Sequence, residues 1–197
     1  EAGGKGANQA VAAARDGAEV AMAGALGSDP LRHIALSHLE TSGVDVSRVA
    51  TTPQPTGCAS IIVDAQGGNQ IAVALGANAL ATAAQIDDAL LDQASWLLLQ
   101  MESAPSEVAA LLERAQGRRV RTILNLAPAV HLAPQVLRSC DLLVVNESEA
   151  AAVAGWLGCG DDARQLQSAL GNAVLRTLGA RGDRKSTRLN SSHRPLS

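Results

Sequence analysis

A chain of 197 residues, 47% apolar and 18% charged, is long enough for one substantial core, or one large domain with a small appendage. A net charge of −3, with no Phe or Tyr and with Trp96 and Trp156 as the aromatics, excludes base stacking and phosphate-backbone recognition, so no nucleic-acid partner is expected. No apolar run reaches membrane-spanning length and no signal peptide is evident, while Cys58, Cys140 and Cys159 lack paired spacing; together these suit a cytoplasmic protein with reduced thiols and no membrane partner.

The chain opens on Gly3-Gly4-Lys5-Gly6-Ala7-Asn8 and runs into an alanine-rich stretch, residues 7–16, that Gly17 closes as a helix. Residues 19–24 read as a short strand. Asp29-Pro30 then provides an N-cap and a proline at the first helical position, for a helix ending near Gly43. Residues 58–63 and 70–75 are two β-type runs around a polar, glycine-rich turn, which predicts an antiparallel hairpin within a βα chain. The βα rhythm resumes with helix 82–94, strand 96–101, helix 105–116, strand 120–125 and strand 142–145. Helices 148–154 and 161–170 and a last strand, 173–178, complete it. These strands are continuously apolar rather than alternating, as in a parallel sheet buried on both faces, so the expected fold is α/β with a doubly wound, mostly parallel sheet. Residues 183–197 turn basic and serine-rich and lose all periodicity, so they read as a foreign or disordered tail beyond a domain spanning 1–182.

Glycines before a helix start let the backbone turn tightly with its N–H groups exposed, a setting that attracts anions and hydroxyl groups. The opening loop is no Walker A motif, because neither Ser nor Thr follows Lys5, and Gln9 breaks a G-x-G-x-x-G pattern. By itself it is equally a turn that caps a helix. Other polar residues fall just beyond strand carboxyl ends, where open α/β sheets bind ligands: Glu102, the segment from Asn125 to Ala129, Asn146 with Glu149, and Thr177 to Gly182. Each alone suits an ordinary loop or helix cap, but several on one sheet edge make a site. His33, His38, His131 and His193 show no metal-ligand spacing, and Asp87-Asp88 and Asp161-Asp162 read as helix caps or solvated faces.

In order along the chain, Gly-Gly-Lys-Gly-Ala-Asn-Gln-Ala, Gln-x-Glu-Ser, Asn-x-Ala-Pro-Ala, Asn-Glu-x-Glu-Ala and Thr-Leu-Gly-x-Arg-Gly resemble the ribokinase/PfkB-type family of carbohydrate kinases across nearly all of 1–182. The resemblance implies ATP-dependent phosphorylation of a sugar hydroxyl, with ribose to ribose 5-phosphate the favoured reaction. By matching positions, Gly4, Lys5, Asn8 and Glu102 would hold the sugar hydroxyls. Asn146 would meet the ATP phosphates, and Glu149 would position phosphate and Mg²⁺. Thr177, Leu178, Gly179, Ala180, Arg181 and Gly182 would surround the nucleotide. Hairpin 57–75 would be part of a lid that closes over the sugar and excludes water, and a candidate homodimer interface. A monovalent cation such as K⁺ is implied for the full-length enzyme.

The departures from the family pattern matter as much. Its Asn-x-Asp element and its Gly-Ala-Gly-Asp segment, whose aspartate takes the hydroxyl proton, have no match in these residues. No catalytic residue is therefore assigned, and the expectation is a piece truncated at both ends and inactive alone. A sister kinase acting on fructose, a ketodeoxy sugar acid or a nucleoside, and a non-catalytic binding fragment, are the alternatives.

Overall fold

Helix α1 (Lys5–Arg15) starts two residues earlier than the alanine run, because Gly4, at φ +99°, turns the chain into it; Gly17, at φ +92°, follows its end as expected. The computed structural model describes residues 2–63, 69–179 and 182–186. They divide into one unit of residues up to 90 together with 102–110, and a second of 91–101 together with residues from 111 onward.

In the first unit, β1 (Ala21–Gly27) pairs in parallel with β2 (Asp45–Thr52), joined by α2 (Leu31–Thr41). Ala10 from α1 and Leu36 and Leu39 from α2 meet Val44 in a buried cluster, with Val11, Val20, Met22 and Leu26 packed around it. The apolar i, i+3 and i+4 spacing in the helices produces that face. Strand β2 has no counterpart in the sequence reading, because its Asp, Ser, Arg and Thr residues leave it half exposed and mask the period. The expected hairpin is present as β3 (Cys58–Val63) and β4 (Asn69–Ala74), antiparallel; its turn, residues 64–68, lies outside the described residues.

The single helix expected over 82–94 does not form. A 3-10 turn, Ala83–Gln85, is followed by a short helix α3 (Asp88–Gln93). Gln85 explains the break. Its side chain caps Thr82 N–H at 2.7 Å and donates to Gly24 O at 2.6 Å and Arg48 O at 2.8 Å, which holds this turn against β1 and β2. Asp87 then caps the new helix by accepting from Leu90 N–H at 2.8 Å.

The second unit is built on a five-stranded sheet in the order β5 (Trp96–Gln100), β6 (Arg121–Asn125), β7 (Leu142–Val145), β8 (Ala173–Thr177), β9 (Asp183–Ser186). The first four strands are parallel and β9 is antiparallel to β8, so the mostly parallel α/β sheet expected from the apolar strands is observed. Leu99, Leu124, Leu143 and Val174 lie in one row across the register and are all buried. Helix α6 (Glu147–Leu157) packs on β7 and β8, and α7 (Ala163–Leu170) on β8 and β9. α4 (Pro105–Ala115) runs across the boundary between the units, and the short α5 (Pro134–Ser139), less than two turns long, was not anticipated.

Two expectations need correction here. β5 is not buried on both faces: Leu97 and Leu99 are buried while Trp96 and Leu98 are exposed, so among the described residues only one of its faces is covered. Part of the supposed tail is ordered as well, since Asp183–Ser186 form β9; residues 187–197 lie outside the described set.

Candidate functional site

The first unit gathers the residues expected to meet a sugar. Gly4 precedes α1 with no side chain to cap the helix, so the exposed amide of Lys5 needs an outside acceptor. Glu102 provides it: Oε2 accepts from Lys5 N–H at 2.8 Å and Oε1 from Lys5 Nζ at 2.8 Å. One carboxylate thus satisfies both the positive end of the helix and the ammonium group, across 97 residues of sequence. A methyl group on Gly4 would stand 3.8 Å from Glu102 Oε2, so the glycine is kept by its φ rather than by lack of space. Asn8 sits one turn on with its N–H bonded to Gly4 O at 3.0 Å and its side chain exposed. The side chains of Lys5 and Glu102 stay 40% and 25% accessible, which leaves the pair open to a polar ligand.

In the second unit, the expected nucleotide residues follow the carboxyl ends of adjacent parallel strands, Asn146 after β7 and Thr177 at the end of β8. Asn146 and Glu149 form a reciprocal capping box. Asn146 Oδ1 accepts from Glu149 N–H at 2.8 Å, and Glu149 Oε2 accepts from Asn146 N–H at 2.7 Å. Ser148 Oγ also donates to Asn146 Oδ1, at 2.8 Å, a contact that the sequence reading missed. Glu149 is 7% exposed, so its carboxylate is set rigidly at the head of α6.

Thr177 Oγ1 lies 3.5 Å from Val145 O, directly before Asn146. The loop after it closes on itself, with Leu178 N–H donating to Gly182 O at 2.7 Å and Gly182 N–H to Gly179 O at 3.1 Å. Gly179 and Gly182 take positive φ there; Ala180 and Arg181 lie outside the described residues. A cleft of about 600 Å³ beside this loop is lined by Glu147, Arg176, Leu178, Asp183 and Arg184. Arg176 went unnoticed in the sequence because a charge inside an apolar strand carries no motif. Its guanidinium donates to Asp161 at 3.1 Å.

The thiol of Cys140 is a core group: burial pushes it up to about 12, and it donates to Leu137 O. No helix among the described residues is long and apolar enough to cross a membrane. Mg²⁺ bound chiefly through phosphates and water needs only one or two carboxylates, and a single rigid glutamate such as Glu149 fits that donor set.

The pfkB family carbohydrate kinase pattern matches residues 1–195. The chain belongs to that family. It is 36% identical to a bifunctional ribokinase/ribose-5-phosphate isomerase A of Fructilactobacillus sanfranciscensis, with 91% of this chain and 35% of that one aligned. It is 35% identical to a ribokinase of Haemophilus influenzae, over 91% of this chain and 61% of the relative. Among solved structures, an Arabidopsis thaliana ribokinase complexed with ribose and ATP superposes at a TM-score of 0.79 and 25% identity, over 94% of this chain and 64% of that one. The fold is accordingly ribokinase-like. The chain spans between about a third and two thirds of the length of the relatives it matches.

Proposed function

We propose that the full-length protein to which this chain belongs transfers the γ-phosphoryl group of ATP to a sugar hydroxyl, with ribose as acceptor and ribose 5-phosphate as product. The observation that carries this reading is the Lys5–Glu102 pair at the head of α1, set in a glycine loop and partly open to solvent. A carboxylate accepts hydroxyl protons in hydrogen bonds, an ammonium donates to hydroxyl oxygens, and a vicinal diol offers both at matching spacing. Gly4 adds a close-approaching backbone just before α1, and Asn8 a carboxamide in the first turn of the helix. Names of relatives that include ribokinase support the choice of ribose.

In the transfer, the hydroxyl oxygen forms a bond to the γ-phosphorus, the bond to the β-phosphate bridging oxygen breaks, and the hydroxyl proton leaves to a base. Such reactions depend on alignment and charge stabilisation more than on covalent chemistry. Mg²⁺ would neutralise charge on the phosphate oxygens. Within this chain, Glu149 would orient the metal's water shell, and Asn146 would direct its carboxamide N–H₂ to phosphate. The loop from Thr177 to Gly182 would hold the nucleotide. No residue here is assigned to take the proton, so the 197-residue chain is expected to bind without turnover. K⁺ activation, a cytoplasmic location and a homodimer through the hairpin, whose Ile62 and Val73 are exposed, belong to the same reading.

Calorimetric titration of the chain with ribose, deoxyribose, fructose and a nucleoside tests it. Ribose should bind at least about tenfold more tightly than the others, the discrimination of one net hydrogen bond. Tighter binding of fructose or the nucleoside would move the assignment to a sister kinase. Appreciable ribose 5-phosphate formation by the chain alone would overturn the expectation of binding without turnover.

A further inference from the structure

Strand β8 reads Ala173-Val174-Leu175-Arg176-Thr177, and the arginine is its one charge. Side chains two apart in a strand share a face, so Arg176 lies on the face of Val174, which is fully buried, and its own side chain is only 18% accessible. Directly opposite it in the register, on β9, stands Arg184, a like charge on the same face. Neither fact favours the fold, because a position this enclosed suits an apolar side chain better than a second guanidinium.

One bond holds the side chain there. Arg176 Nη2 donates to Asp161 Oδ2 at 3.1 Å. Nη2 and Nε form one edge of the guanidinium, the edge that a carboxylate grips with both oxygens. Asp161 takes half of it: Nε is buried and has no partner among the described residues. An enclosed ion pair made in this incomplete way adds little stability, and an apolar side chain of similar volume often does better. What the pair fixes is geometry. Asp161 lies just before α7, whose cap is Asp162, accepting from Arg164 and Gln165 N–H at 2.8 and 3.0 Å. Arg176 is followed at once by Thr177 and by the loop in which Leu178 N–H donates to Gly182 O and Gly182 N–H to Gly179 O. The cleft of about 600 Å³ opens beside that loop, with Arg176 and Leu178 both in its wall.

We propose that Arg176 is a positioning residue for the loop after β8: held by Asp161, it ties the carboxyl end of the strand to the head of α7 and so sets where Thr177, Leu178 and Gly182 stand. The consequence for ATP rests on the reading of this loop as the one that holds the nucleotide.

The test uses the 197-residue chain and follows amide hydrogen exchange residue by residue, without ligand, in the parent, Arg176→Met, Asp161→Ala and the double variant. Exchange at Leu178 and Gly182 should be about tenfold faster in either single variant and no faster in the double, since all three remove the same interaction. Gly171 N–H, bonded to Gln167 O at the end of α7, should exchange at the parental rate, and the melting temperature should hold. Parental exchange at Leu178 and Gly182 in the variants would overturn the proposal. Faster exchange at all three amides with a lowered melting temperature would make the pair merely structural, and would overturn it too. If Arg176→Met does not fold, Asp161→Ala decides by the same criterion, its side chain being 49% accessible in the parent and clear of the α7 cap. Calorimetric titration with ATP and Mg²⁺ then reads the consequence: the parent should bind, and each single variant should lose about fivefold in affinity as the loop is less well preorganised. If the parent does not bind ATP, the nucleotide reading fails, while the positioning assignment still stands or falls on the ligand-free exchange.

Discussion

At the scale of single residues, Glu102 makes two bonds to Lys5 that differ in kind, one to a helix-end amide and one to an ammonium. Replacing it by Gln keeps one acceptor and loses the charge. With both side chains partly accessible, the expected loss of stability is about 1 kcal/mol, measured by urea unfolding. Ribose affinity should fall more, by about tenfold or greater in a titration. Glu102 stood out in the sequence as a site candidate, because a carboxylate just after an apolar strand is conspicuous. That Lys5 would be its partner did not, since nothing local links them.

Asp29 carries a prediction on pH. Its carboxyl is held below 3.8 chiefly by Thr56 N–H, and Asp45 and Asp87 are likewise lowered, by Ser47 N–H and Leu90 N–H foremost. A depressed carboxyl contributes stability that is present above 3.8 and is lost as pH falls through the lower, folded value. Thermal midpoints should therefore drop on acidification below about pH 4, and Asp29→Asn should show a shallower drop than the parent.

At the scale of elements, the start of α6 is fixed by a reciprocal capping box. Asn-x-x-Glu is a helix N-cap signature, and the sequence reading took Asn146 and Glu149 for the nucleotide without noting that they would also bond to each other. Asn146→Ala should cost about 1 kcal/mol in denaturant unfolding, with Asn146→Asp near parental. Glu149→Gln preserves the capping box, so it should keep the melting temperature while weakening the Mg²⁺ dependence of ATP binding, followed by titration with and without the metal. Parental Mg²⁺ dependence in Glu149→Gln would leave Glu149 a purely structural cap.

Elsewhere at this scale, strands β6, β7 and β8 were legible to within a residue because each carries adjacent apolar residues, Ile123-Leu124, Leu142 to Val145 and Ala173 to Leu175. β2 and the 82–94 region were not. There the outcome depends on Gln85 reaching Gly24 and Arg48, contacts that local periodicity cannot register.

At the scale of the whole molecule, Leu124 and Leu143 sit side by side in the fully buried row of the sheet. Either changed to Ala should cost about 2–5 kcal/mol and lower the denaturation midpoint without altering ribose affinity beyond the loss of folded protein. The same sheet explains why parallel order could be anticipated from composition, whereas the one-sided exposure of β5 could not, since that depends on which face another layer covers.

The sequence by itself determined the α/β class, the family, the strands with unbroken apolar runs, and which polar residues follow them, because apolar periodicity and motif order are properties of the linear chain. Tertiary structure alone decided the partners. Lys5 met Glu102, Asp29 met Thr56, Gln85 broke a helix, and Asp183–Ser186 became a strand. Each depends on a hydrogen-bond donor left unsatisfied in one segment and filled from another. Burial requires that pairing, but nothing in either segment names its counterpart.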